Sequence, residues 1–234
     1  MRDNFIFTFN SLKSQFELAL DLGYKVITCD NYIQNKKSFI NEKIIINRID
    51  LDLSIKKADR LVRIFNDLDI EGSFFLRLHA PEYNPFSFEN YKILKNLILS
   101  GHELGYHSEI VDQSAIWDEK IIDCLKRDIR IINEMFNINI RGVASHNGMT
   151  GLNNLDFWRK NMPGYFGLSY EAYDWFNDAF YISDSEISQW KCYDKGKLMK
   201  GDNRTFGEHL MNNHQIIYLL THPDTYYDRH PYDQ

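Results

Sequence analysis

The sequence predicts an α/β fold built on a parallel sheet, and three observations carry that expectation. Short apolar runs alternate with segments of helical periodicity along the whole chain. The runs are spaced as repeated βα units, which favour parallel strands in a sheet that is either open or closed into a barrel. The residues with chemical potential fall where the runs end, the position at which α/β sheets gather their sites.

Taken in order, Ser11 to Leu22 places Leu12, Phe16, Leu18, Leu20 and Leu22 before Gly23, a helix followed by its C-cap glycine. Lys25 to Thr28 reads as a strand. Ile44 to Ile49 reads as a second, and Ile44, Ile45 and Ile46 make the near-continuous aliphatic run of a strand covered on both faces. Ile55 to Leu68 spaces Ala58, Leu61, Val62, Ile64, Phe65 and Leu68 as a helix, and Ser73 to Leu78 is a strand. Phe88 to Leu99 is a helix that begins after Ser87, has Asn90 at the capping-box position and closes at Gly101. A strand at Glu103 to His107 follows, then a helix from about Asp118 to Phe136. Strands near Arg141 to Ala144, at Gly164 to Leu168 and at Gln215 to Thr221 complete the pattern.

With 234 residues, 44% hydrophobic and 15% aromatic, the chain can bury a full core and is expected to form one domain, residues 1–234. A formal charge of -6 without a lysine-rich block argues against a nucleic-acid partner. The three cysteines, Cys29, Cys124 and Cys192, lie far apart, so neither a disulfide framework nor a cysteine zinc site is expected, and a reducing compartment follows. The N-terminus has no long apolar core of a signal peptide, and no run reaches the roughly 18 apolar residues of a membrane span, so a cytoplasmic protein is expected. Gly-rich dinucleotide and P-loop motifs are missing.

Asp50 and Asp52 end the second strand, and a period of two points them the same way. Two like charges on one face repel and must be desolvated, which calls for something positive between them, a divalent cation being the simplest choice. The competing account makes Asp52 and Ser54 the N-cap and turn of the next helix. Three histidines also fall at or after strand ends: His107, His146 behind Ala144, and His222 behind Thr221. One such histidine is ordinary, whereas three together with an aspartate pair point to a site.

Gly101-His-Glu-Leu-Gly-Tyr-His107 resembles the Gly-His-Glu-Ile-Gly-x-His motif of the polysaccharide deacetylase family, metal-dependent esterases that remove N-acetyl groups from sugars. Asp50-Leu-Asp52 resembles the Asp-x-Asp form of that family's first motif, and Leu220-Thr-His-Pro223 resembles its last. The stretch from Phe7 to Tyr24 is similar to the N-terminal extension of deacetylase-like proteins of bacterial surface-polysaccharide gene sets. The resemblance implies a distorted (β/α) barrel of about seven strands, with residues 1–43 as an extension packed on it. It further implies a zinc-like ion, Asp50 as general base, Asp52 and His107 as metal ligands and His222 as general acid, with Asp224 near enough in sequence to influence His222. The substrate implied is an N-acetylated sugar, nucleotide- or lipid-linked, used in O-antigen or capsule assembly.

The departures from the family pattern set the open points. A second histidine ligand belongs four residues after the first, but Val111 stands there. Since catalytic zinc keeps three protein ligands, another residue must complete the shell; His146 is the first choice and Glu109 the second. The arginine of the family's third motif is missing as well, and Arg141 is a structural residue rather than its replacement. Asp184 is expected to bond sugar hydroxyls and Trp190 to stack on a sugar ring, although aromatics are more often core. His102 is expected to be structural, while His79, His209, His214 and His230 give no pattern. Two other functions stay open: a deacetylase fold that binds sugar without turnover, and a different metal-dependent C–N hydrolase.

Overall fold

The computed structural model describes residues 7–229. His230, the last residues of the polar tail, and residues 1–6 of the expected extension lie outside that range. Among the described residues ten strands make one sheet: β1 (Lys25–Ile27), β2 (Ile44–Leu51), β3 (Ser73–Leu76), β4 (Glu103–Ser108), β5 (Gly142–Ser145), β6 (Tyr170–Glu171), β7 (Phe180–Ser183), β8 (Lys191–Asp194), β9 (Lys197–Leu198) and β10 (Ile216–Thr221). In space they run β6-β5-β4-β3-β2-β10-β7-β8-β9, with β1 added beside β2. Pairing is parallel from β6 through to β7 and antiparallel across β7-β8-β9. The helices are α1 (Phe9–Asp21), α2 (Cys29–Asn35), α3 (Ile55–Asp67), α4 (Phe88–Leu99), α5 (Ile110–Trp117), α6 (Ile121–Phe136), α7 (Leu155–Trp158) and α8 (Phe206–Leu210). None of the described helices is long and apolar enough to cross a membrane.

β2 organises the sheet. β10 lies along one side of it, while the other side is shared: β1 pairs with Ile44 to Ile46 and β3 with Arg48 to Leu51. Every residue of β2 is therefore buried, which is why it reads as an aliphatic run. Its pleat sends Ile45, Ile49 and Leu51 toward the cluster formed with α1 and α3, where Phe16 meets Phe65 edge-on with ring centroids 5.3 Å apart. Ile44 and Ile46 face a second cluster on the other side, with Phe75, Tyr170, Tyr181 and Tyr218. That second face is concave, because rings from distant parts of the sheet meet on it: Tyr170 on β6 lies 6.4 Å from Phe75 on β3, and Trp175, in the turn after β6, lies 5.6 Å from Tyr218 on β10. Gly142 makes room for this, since a Cβ there would fall 2.1 Å from the Tyr170 ring.

Several expectations are corrected. Among the described residues the sheet has ten strands rather than about seven, and no pairing joins its end strands β6 and β9. The surplus comes from β7 and from the β8–β9 hairpin, whose turn residues Lys195 and Gly196 both have positive φ, as a tight two-residue hairpin needs. The strand expected at Gly164 to Leu168 is instead a 3₁₀ turn, Pro163–Phe166, because Pro163 opens it and Gly167 at φ 79° ends it; β6 starts at Tyr170. The helix expected from about Asp118 to Phe136 is α6, which starts at Ile121; α5 before it was not expected, and Asp118, in a left-handed conformation, separates the two. Thr28 does not extend β1; its hydroxyl accepts from the Asn31 amide and caps α2. His102, expected to be structural, is buried between Phe65 and Phe74, and burial lowers its pKa to about 4.

Candidate functional site

The carboxyl ends of β2, β4, β5, β7 and β10 surround a cleft of about 920 Å³ that Asp50, Asp52, His107, His146 and His222 all line. The capping question on β2 resolves by side chain: the Ser54 hydroxyl accepts from the Lys57 amide and caps α3, which leaves Asp52 to face the cleft.

Donor atoms of Asp52, His107 and His146 lie within 4.8 Å of one another. His107 is buried and directs Nδ1 at the Ala144 carbonyl oxygen, 2.9 Å away, so Nδ1 carries a proton. Its Nε2 then faces two carboxylates, Asp52 Oδ1 at 3.1 Å and Asp50 Oδ2 at 3.3 Å. A lone pair aimed at two anions is unfavourable unless a proton or a cation lies between them. Burial alone would lower the His107 pKa, but the Asp50 and Asp52 carboxylates raise it. Burial likewise favours neutral Asp52, yet the neighbouring histidines hold its pKa far below the carboxylate range. The His146 ring stands perpendicular to that of His107, with centroids 5.1 Å apart, and its Nδ1 lies 3.4 Å from Glu109 Oε1. Asp52 Oδ1 and His146 Nδ1 are buried without a hydrogen-bond partner among the described residues. Two imidazoles and one carboxylate, with His107 backed by the Ala144 carbonyl and Asp52 Oδ1 and His146 Nδ1 unpartnered, fit the three-ligand shell of a zinc-class cation with one position open.

Asp50, which also approaches His107, is gripped by an arginine not among the expected site residues. Arg48, two residues back on the same face, donates from Nε to Asp50 Oδ1 at 2.8 Å and from Nη2 to Oδ2 at 2.7 Å. Its remaining nitrogen donates to the Tyr218 hydroxyl at 3.1 Å, and its guanidinium lies 4.6 Å from the Tyr173 ring centroid. Burial would raise the Asp50 pKa, but Arg48 and His107 bring it below its ordinary value. Arg141, by contrast, is half-exposed, 3.6 Å from Asp30. The signal for Arg48 was a charge inside an otherwise aliphatic run.

His222 directs Nδ1 at Asp184 Oδ1, 2.6 Å away, and its backbone amide donates to the same carboxylate. Its Nε2 lies 3.7 Å from Asp52 Oδ2. Burial would lower its pKa, yet Asp184, with Asp52 and Asp50 behind it, raises the value to about 9. The carboxylate acting on His222 is thus chiefly Asp184, which parallel pairing of β7 with β10 brings alongside, and not its sequence neighbour Asp224, which accepts from the Leu53 amide. With Asp184→Asn, only Asp52 and Asp50 still oppose burial and the His222 pKa falls. If His222 works as an acid, activity is lost as pH rises through that pKa, so the alkaline limb of the pH profile should move down by about one unit or more. A pH–rate comparison with wild type checks this.

The residues expected to touch substrate are placed elsewhere. Asp184 has no exposed surface, being spent on His222. Trp190 is a core residue 5.8 Å from the Phe7 ring. Glu109 does not continue the strand, which ends at Ser108; it sits buried at the start of α5, paired with Arg77 at 2.8 Å, and Arg77 in turn donates to the Asp52 carbonyl at 3.0 Å.

Val111 also has a structural counterpart. Its amide donates to Asn154 Oδ1 at 2.9 Å, while the Asn154 side-chain amide donates to Asp112 Oδ2 at 2.7 Å and to the His146 carbonyl at 3.2 Å. Asp112 also accepts from the amides of Met149 and Thr150. The first turn of α5 thereby braces the loop that carries His146.

No protein-family model matches this chain, and no curated protein matches it. Among solved structures, the Streptococcus pyogenes deacetylase PplD in complex with acetate is similar to it, with a TM-score of 0.48 and 13% identity over 68% of this chain and 71% of that one.

Proposed function

We propose that this protein is a metal-dependent N-deacetylase that acts on an N-acetylated sugar, nucleotide- or lipid-linked, in bacterial O-antigen or capsule assembly. The observation that carries the reading is the meeting, in one cleft, of a three-donor set (Asp52, His107, His146), a separately held carboxylate (Asp50) and a histidine oriented by a buried carboxylate (His222). The resemblance of Asp50-Leu-Asp52, Gly101 to His107 and Leu220 to Pro223 to deacetylase motifs supports the choice of reaction.

A zinc-class cation held by the three donors would polarise the acetyl carbonyl and acidify a water. Asp50 takes the proton of the attacking water on Oδ2, the oxygen that faces His107. Arg48 holds that carboxylate in place and ionised. His222 gives its Nε2 proton to the leaving nitrogen as the C–N bond breaks, which yields acetate and the free amine, and Asp184 keeps the imidazole charged until then. Protein purified free of metal and reconstituted with zinc, cobalt, nickel or manganese should bind the ion stoichiometrically and release acetate from N-acetylamino sugars. Binding of sugar without acetate release would favour the second reading, a catalytically silent sugar-binding protein. The observation favouring that reading is the engagement of both Asp50 oxygens by Arg48, which weakens the carboxylate as a base. Failure to bind any of these ions would sink the hydrolase reading.

A further inference from the structure

A second group of metal-ligating side chains lies on the other face of the sheet, and none of them lines the cleft. Along β8, Tyr193 packs against the concave cluster, whereas Cys192 points away into the cluster that contains Phe206 and Leu210 of α8. Cys192 Sγ, a carboxylate oxygen of Asp202 and a ring nitrogen of His209 lie within 4.8 Å of one another. They come from three separate places, namely β8, the segment after β9, and α8. His209 has no exposed surface; its Nε2 faces Asp202 Oδ1 at 3.5 Å and has no hydrogen-bond partner among the described residues. A buried imidazole nitrogen left without a partner carries a desolvation cost that nothing else near it offsets.

The surroundings suit a cation. His209 Nδ1 lies 3.3 Å from the Asn212 side-chain nitrogen, which donates to it and leaves the ring proton on Nε2; a cation at Nε2 requires that proton to move to Nδ1 and the Asn212 amide to turn its oxygen toward it. Arg204 binds both oxygens of Asp202, at 2.9 and 2.7 Å, so it can keep Oδ2 when Oδ1 turns to a cation. The Asp202 side chain is 16% exposed and opens the cluster to solvent, while Cys192 and His209 close it from behind.

We propose that Cys192, Asp202 and His209 bind a zinc-class divalent cation at a site separate from the cleft. One thiolate, one imidazole and one carboxylate select a borderline ion such as zinc or cobalt over magnesium or calcium. Three protein ligands leave a fourth position for water on the Asp202 side. Binding replaces the Cys192 S–H proton, which passes to solvent, by an S–metal bond, so one proton is released per ion. The ion ties the β8–β9 edge of the sheet to α8, and α8 leads into β10, the strand that His222 follows. This inference does not rest on the proposed deacetylase activity.

Cobalt(II) titration of the full, metal-free chain tests it. Thiolate ligation gives an intense near-ultraviolet charge-transfer band that the cleft set, made of nitrogen and oxygen donors, does not give. The wild type should show the band and bind two ions per chain; Asp52→Asn should lose one ion and keep the band; Cys192→Ser should lose the band and keep the cleft ion. Should Cys192→Ser not fold, Asp202→Asn, on the partly exposed segment, should still weaken cobalt at the thiolate site at least about tenfold. A wild type without the band, a band that survives Cys192→Ser, or an unchanged affinity in Asp202→Asn overturns the proposal, and each of these is distinguishable from failure of the cleft to bind metal.

Discussion

Asp50→Asn is expected to cut acetate release by about 10²–10⁴-fold while metal content stays at the wild-type level. The substitution keeps the shape of the side chain and removes the oxygen that accepts a proton; the three donors Asp52, His107 and His146 are untouched. It also leaves the fully buried Arg48 without its counter-charge, and breaking a buried pair on one side costs roughly 3–5 kcal/mol of stability. A lowered melting temperature with retained metal and lost turnover is therefore the full signature. Acetate assays beside metal analysis and thermal denaturation check it; undiminished acetate release would remove Asp50 from the role of base.

The second large effect concerns the completion of the shell. His146→Ala should abolish stoichiometric metal binding in the cleft, as should Asp52→Asn, because two remaining donors hold a catalytic ion poorly. Glu109→Gln should weaken the metal only about 10–100-fold, the usual effect of altering a residue that orients a ligand. Equilibrium dialysis of the variants separates the two. If Glu109→Gln emptied the cleft and His146→Ala did not, the ligand set would have to be redrawn around Glu109.

Much of the sheet was legible because β2, β3, β4 and β10 carry apolar runs long enough to show their period, with helices of clear amphipathic spacing between them. The edge strands were not. β6 has two residues and β9 two, and the polar character of Lys191, Asp194 and Lys197 removes the alternation that marks a strand. In the cleft, Asp50, Asp52, His107, His146 and His222 stand together, each at the end of a run that could be read. Their partners were hidden because they depend on pairing across the sheet: Asp184 reaches His222 from 38 positions away, and Asn154 reaches Val111 from 43. Trp190 and Asp184 were assigned to substrate because residue type says nothing about which way a side chain faces. His209 showed no pattern for the same reason, since its neighbours Cys192 and Asp202 arrive from other elements.

Arg48 and Asp50 sit two residues apart on one strand, so the pleat alone aligns them and no loop has to form for the pair to close. Their contributions to the fold are tied for that reason. Losing either one strands a charge in the interior, and sliding β2 by one residue would throw both onto the face that packs against α1 and α3. Replacing both with apolar residues of similar volume therefore costs the fold less than replacing either one, so the double variant should melt above both single variants even though it has lost the base.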